Sequence, residues 1–331
     1  MNGTAGSPVI RPSTLQHVTF SGSPSFQIPN GAVALSDPLR FPVKAQTSVT
    51  ITLYLAAGQA GHSITGHPGS RTSTWLTQGN LVTAADITTA STQRIDKWFL
   101  TSSLQGYLPS KSTALAIVGD SITDGRGSTT NGNDRWPDAL LARTLANPPT
   151  RSLSIMNMAA GGNRILADGL GPAALGRIER DVLAHPNVRY ALIYEGVNDL
   201  GTAPADTASQ TAVADRVISA LDQMITRLHG AGIAVFGGTI TPMSGPGQAY
   251  GEPAREVARQ KVNKWIRGSG RFDAVVDFDL AVRDKANATM LRKEYDSGDY
   301  LHLNPDGYRA MAAAVDLKVF KKFEGGVSGL V

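Results

Sequence analysis

From Ala114 to Phe320 short apolar runs alternate with amphipathic stretches, and that alternation restricts the chain to few architectures. The runs are "ALAIVG" (114–119), "SLSIMN" (152–157), "RYALIYE" (189–195), "IAVFGGT" (233–239) and "AVVDF" (274–278), each of strand length. Between the third and fourth, Val213, Val217, Leu221, Met224, Ile225 and Leu228 recur every three or four residues, which places them on one helical face. Ala254, Val257, Ala258, Val262 and Trp265 repeat the pattern, and Tyr308 to Phe320 reads as a closing helix. Strand and helix in strict alternation predict right-handed crossovers and a parallel sheet covered on both sides. The expected fold class is therefore α/β, a three-layer α/β/α arrangement around a five-stranded parallel sheet of flavodoxin-like form. Ligands of such sheets collect outside the carboxyl ends of the strands, so the residues that follow each run are the ones to inspect.

The N-terminal third has a different period. From Thr14 to Leu55 the runs "HVTFSG", "SFQIP", "AVALSD", "LRFPV" and "SVTITLYLA" alternate or cluster between Gly, Pro, Asn and Asp, which predicts short antiparallel strands. Residues 58–92, rich in Gly, Ser, Thr and His, read as loops and short strands. We expect a β-rich, sandwich- or jelly-roll-like domain over 1–108 and an α/β domain over 109–331, with the boundary between Leu100 and Ser112.

Composition removes several classes of function. The net charge is only +4, and lysine and arginine form no run, so no nucleic-acid partner is expected. No apolar run approaches the roughly 18 residues of a membrane span, and with no cysteine neither disulfides nor thiolate metal sites are available. The start, "MNGTAGSPVIRPS", lacks the apolar core of a signal peptide. A secreted protein written without its leader would look the same, and the triplets Asn2-Gly-Thr and Asn287-Ala-Thr fit secretion; the alternative location is the cytoplasm. Oligomeric state is not legible.

Each run is followed by residues that are ordinary alone. Gly119-Asp120-Ser121 makes a turn and a helix cap, or presents a nucleophile. In "NMAAGGNRIL", Gly161 and Gly162 supply a left-handed turn, or let a backbone N–H approach a ligand. Asn198 and Asp199 in "EGVNDLG" are turn residues, or Asn198 donates to developing negative charge. In "DSGDYLHLNPDGY", Asp299 and His302 are spaced so that the carboxylate can hold one imidazole tautomer, while Asp306 looks like a helix cap. Trp136 walls a pocket or belongs to the core, and Asp120 and Asp124 brace the serine turn. The "TNGND" stretch does not have EF-hand spacing, so no metal is expected. All four groups fall at one predicted edge of one sheet, which makes a shared site the economical reading.

This order resembles the SGNH family of GDSL-type esterases, whose Ser, Gly, Asn and His blocks match "GDSITDG", "NMAAGGNR", "GVNDLG" and "DYLHLNPDGY". The resemblance covers about 114–320 and departs at Ile122, where the family's name-giving residue is leucine. The G-x-S-x-G elbow of ordinary α/β-hydrolases is absent, since position 123 is threonine. The resemblance implies a serine esterase in which Ser121 attacks, His302 moves the proton and Asp299 orients it. It implies an oxyanion hole of Ser121, Gly162 and Asn198, with Gly162 selected over Gly161 by its spacing from Asn157, and no cofactor.

The family includes lipases, thioesterases and carbohydrate acetylesterases. The β-rich region and the polar candidates Asn163, Arg164 and Glu195 favour short acetyl esters of carbohydrate, an acetylated sugar or polysaccharide, with a small-molecule or polysaccharide ester as the expected partner. The alternatives are a lipolytic acylhydrolase for longer chains and a non-catalytic sugar-binding protein on an esterase scaffold. The Gly- and Pro-bearing segment 241–253 lines the acyl or alcohol side, or is a plain surface loop.

Overall fold

Four consecutive residues of the first apolar run, Leu115, Ala116, Ile117 and Val118, are wholly shielded from solvent, as a strand must be when helices cover both faces of its sheet. The computed structural model describes residues 5–59, 61–109 and 111–329; the Asn2-Gly-Thr triplet lies outside them. The described chain divides into two units, Met1–Gly66 with Thr72–Leu100, and His67–Arg71 with Thr101–Val331.

The second unit is built on five parallel strands: β1 Thr113–Gly119, β2 Leu153–Asn157, β3 Val188–Tyr194, β4 Ala234–Gly238 and β5 Ala274–Val276. Their order across the sheet is β2-β1-β3-β4-β5. In register, Leu115 of β1 stands beside Ile155 of β2 and Tyr190 of β3. The chain leaves β1 in one direction to form β2 and then returns past it to form β3. The connections therefore diverge at the β1/β3 edge and leave a crevice outside the strand ends.

The helices flank this sheet in the expected three-layer arrangement. They are α1 Ser121–Asp124, α2 Trp136–Ala146, α3 Ala174–Ile178, α4 Val197–Thr202, α5 Thr207–Gly230, α6 Pro253–Gly268, α7 Phe278–Val282, α8 Pro305–Ala314 and α9 Lys318–Lys322. The long helix α5 starts at Asp206, whose carboxylate accepts from the Ser209 N–H at 2.9 Å, and buries Val217, Leu221, Met224, Ile225 and Leu228. Helix α2 packs on α8, and α5 packs on α3 and α6. Trp136 is fully buried with its indole N–H on Thr123 Oγ1 at 3.2 Å; of its two expected places, it occupies the core.

The first unit carries short strands. Thr74–Leu76 pairs antiparallel with Gln93–Ile95, so the ladder falls in and just after the segment read as loops and short strands. Among described residues 14–55 there is no strand, only an isolated bridge between Phe20 and Ser23. Many side chains of the expected strands, Val33 and Leu35 among them, are exposed, so burial on one face does not select an extended register there.

Because β1 is an inner strand paired on both sides and Ile117 is fully buried, Ile117→Ala is expected to cost about 2–5 kcal/mol, seen as a lower urea midpoint with an unchanged slope. A loss within about 0.5 kcal/mol would mean that the site collapses around the missing atoms.

Candidate active site

The end of β1 must turn a buried strand toward solvent within three residues. Asp120 makes the turn by capping α1, its Oδ1 accepting the Ile122 N–H at 2.8 Å, and Ser121 begins the helix partly exposed. Ser121 Oγ lies 2.7 Å from Nε2 of His302, 181 residues later. On the other side of the ring, Nδ1 is 2.7 Å from Asp299 Oδ2. A carboxylate accepts only, so Nδ1 carries a proton; in the neutral ring Nε2 then has its lone pair free and accepts from the Ser121 hydroxyl.

Asp299 is itself held by the backbone N–H groups of His302 at 2.8 Å and Leu301 at 3.1 Å. Burial opposes its ionisation, yet these bonds and the one from the imidazole hold its carboxyl well below the usual carboxylate range. The loop closes on Asn304, whose side chain caps α8 through the N–H groups of Asp306 and Gly307, both at 3.0 Å. Asn304 is the cap; Asp306 is an exposed residue of the first turn, paired with Arg309.

Four further donors are arranged around the strand ends. The N–H of Gly161 is engaged by Asp124 Oδ2 at 3.0 Å. The N–H groups of Ser121 and Gly162 have no acceptor among the described residues. Gly162 has φ +72°, a conformation open to glycine at little cost. Asn198 donates one Nδ2 hydrogen to the Asn163 carbonyl at 2.9 Å, and its Oδ1 accepts from the Tyr250 hydroxyl at 3.2 Å. Its second amide hydrogen has no partner among the described residues.

Two carboxylates brace this edge. Asp124 also meets His67 Nε2 at 2.7 Å, and Asp199 accepts the N–H groups of Ile165 at 2.8 Å and Leu166 at 3.0 Å. Beneath them is Arg177, nearly inaccessible to solvent. It donates to the Asn163 side chain at 2.8 Å, to Asp181 at 2.6 Å, to the Gly119 carbonyl at 3.3 Å and to the Met158 carbonyl. No periodic pattern in the sequence marks His67 or Arg177, because their partners are distant in the chain.

Of the expected substrate contacts, Asn163 and Glu195 are not open to a ligand. Asn163 is buried with its amide spent on Pro172 and Arg177. Glu195 is buried 3.6 Å from Arg177, and neither carboxyl oxygen has a hydrogen-bond partner among the described residues. Both side chains are turned inward toward the buried Arg177. Arg164 is half-buried, donates to the Asp168 carbonyl, and lines a depression of about 170 Å³ with Leu166, Asp199, Thr202 and Arg216. None of Ser121, Asp299 and His302 lines that depression.

Burial, with the nearby charges of Asp199 and Asp124, pushes the Asp120 carboxyl up to about 7, and burial raises Glu195 as well. The folded chain therefore holds the Asp120 proton more tightly than the unfolded chain. The associated stability is present below about pH 4 and is lost as the pH rises to about 7. Asp120→Asn keeps an acceptor for the Ile122 N–H and removes the titration, so its urea midpoint is expected to fall less steeply than the parent's from pH 4 to 7. Identical slopes would mean that Asp120 is ionised throughout.

The GDSL-like lipase/acylhydrolase family model matches residues 117–310. No curated protein matches the chain. Solved structures similar to it include a carbohydrate acetylesterase from Sinorhizobium meliloti, 15% identical with a TM-score of 0.48, covering 64% of this chain and 100% of that one. A variant of an acetyl xylan esterase from Geobacillus stearothermophilus is 20% identical with a TM-score of 0.47, covering 67% and 99%. A GDSL-like lipase from Bacteroides thetaiotaomicron is 17% identical with a TM-score of 0.45, covering 66% and 93%. With more than half of its length matched, and a serine, an imidazole and a carboxylate in hydrogen-bonded series at the strand ends, the chain belongs to the GDSL-like lipase/acylhydrolase family and is a carboxylic ester hydrolase.

Proposed function

We propose that Ser121 is the nucleophile of a two-step ester hydrolysis in which His302 carries the proton and Asp299 orients it. The observation that carries this reading is the pair of 2.7 Å contacts joining Ser121 Oγ, the His302 ring and Asp299. Oγ attacks the ester carbonyl as its proton passes to Nε2; the C–O bond to the alcohol then breaks, and Nε2 returns that proton to the departing oxygen. Water repeats the sequence on the acyl-serine: its oxygen bonds to the carbonyl carbon, its proton passes to Nε2, and Oγ leaves and is reprotonated.

Negative charge on the carbonyl oxygen would be received by the N–H groups of Ser121 and Gly162 and by Asn198 Nδ2. The engagement of Gly161 by Asp124 supports Gly162 as the glycine donor. No helix among the described residues is long and apolar enough to cross a membrane.

Within this chemistry we read the substrate as a short-chain, acetyl-type ester of a carbohydrate. Support comes from the charged surroundings of the dyad: the exposed Arg126 guanidinium stands 3.9 Å from Asp299, a setting suited to a hydroxyl-rich alcohol and poor for a long acyl chain. A polysaccharide substrate implies export, and Asn287 of the second glycosylation triplet is exposed, in keeping with secretion. One observation favours the lipolytic alternative. Leu170, an exposed large apolar side chain, lies over the position a Cβ on Gly162 would take, where it would contact an acyl chain.

Ser121→Ala is expected to abolish turnover of p-nitrophenyl acetate with little change in melting temperature; a variant that kept most of its activity would refute the nucleophile assignment. Asn198→Ala is expected to lower kcat by about 100- to 1,000-fold with a smaller effect on KM. A weakened KM with normal kcat would instead place Asn198 in substrate recognition. Along a series of p-nitrophenyl esters, acetate is expected to turn over best. An optimum at about eight carbons or more would favour the lipolytic reading, since each buried methylene contributes roughly 0.8 kcal/mol in an apolar pocket.

A further inference from the structure

We infer that Tyr250, on the irregular segment between β4 and α6, is a positioning residue that holds the Asn198 amide in register for the oxyanion, an inference that rests on the proposed role of Asn198. A primary amide turns about a broad, weakly restrained torsion, so a side-chain donor is pre-organised only when both of its ends are held. Here they are. The Asn163 carbonyl can receive only the nitrogen end of Asn198, which fixes which atom is Nδ2, and the Tyr250 hydroxyl then donates to Oδ1 at 3.2 Å. That donation also polarises the amide, which strengthens the remaining N–H as a donor.

Shape makes the contact specific. The Tyr250 ring lies where a Cβ on Gly201 of α4 would have to be, so the aromatic reaches Asn198 because position 201 has no side chain. The same segment grips the other half of the site. Gln248 accepts the Tyr250 backbone N–H at 3.0 Å and donates to the Asp299 carbonyl at 2.5 Å. The ring of Tyr300, between Asp299 and His302, fills the space that a side chain at Gly245 would take. Residues 245–250 thus join the loop of the acid and the base to the oxyanion amide. Neither expectation from sequence, a substrate wall or a plain surface loop, describes this function.

The test is a double-mutant cycle on p-nitrophenyl acetate, with melting temperatures recorded for every protein: parent, Tyr250→Phe, Asn198→Ala and the double variant, and Ser121→Ala as control. Phenylalanine keeps the ring against Gly201 and removes only the hydroxyl. Tyr250→Phe is expected to lower kcat by about tenfold with KM within about twofold of the parent. In the Asn198→Ala background the same change is expected to cost nothing beyond about twofold, because the amide it positions is gone. Gly201→Ala, which displaces the ring, is expected to reproduce the loss in kcat and provides the reading should Tyr250→Phe fold poorly.

If Asn198→Ala lowers kcat while Tyr250→Phe does not, the positioning role fails and the oxyanion assignment stands. Equal losses in both backgrounds would also overturn it, since Tyr250 would then act other than through Asn198. An Asn198→Ala protein with normal kcat removes the oxyanion role and this inference together, and an active Ser121→Ala protein removes the whole mechanistic reading.

Discussion

A buried strand that stops, turns and offers a hydroxyl to solvent within three residues is the constraint around which the rest of the α/β unit is arranged. β1 is shielded on both faces through Val118, so its last carbonyls and the first N–H groups of α1 need partners inside the protein. Asp120 satisfies the Ile122 N–H, Met158 and Ala160 donate to the carbonyls of Ile117 and Gly119, and Arg177 adds a charged donor to Gly119. The loop that carries the two glycines is therefore bonded to the turn that carries Ser121, and the two cannot shift independently.

Electrostatics separate the carboxylates of this region into two kinds. Asp299, near solvent, receives hydrogen bonds from the His302 ring and from the N–H groups of Leu301 and His302, and these favour its ionised form. Asp120, Glu195 and Asp199 lie behind the strand ends, where burial raises all three and one guanidinium faces several acids. The positive charge of Arg177 is committed to the architecture beneath the site, and the exposed cation beside the acid is Arg126.

The strands and long helices of the α/β unit were legible because continuous burial demands apolar runs of strand length, and a one-sided helix demands a repeat of three and four. Ser121, Gly162 and Asn198 were singled out because they come after strands, and Asp299 and His302 because they stand just before the closing helix, all in a recognisable order. Residues beside them were judged by proximity alone, and that rule failed for Asn163 and Glu195, whose side chains point into the protein. His67, Arg177 and Tyr250 left no signal, since a lone polar residue far from its partner has no period. In the N-terminal unit turn residues and apolar runs were present between 14 and 55, yet pairing appears at Thr74–Leu76 and Gln93–Ile95. Strand pairing depends on a partner and a shared buried face, and a local pattern specifies neither.

From the sequence by itself came the class of fold and the candidate residues that gather at one edge of the sheet, because hydrophobic period and turn chemistry act over a few residues. Tertiary structure alone decided which atoms meet: the imidazole with a hydroxyl 181 residues away, the Gly161 N–H with Asp124 while that of Gly162 has no acceptor among the described residues, and the phenol on the Asn198 amide. The physical reason is range. A hydrogen bond is set to within a few tenths of an ångström by the packing of everything around it, and that packing is a property of the whole folded unit.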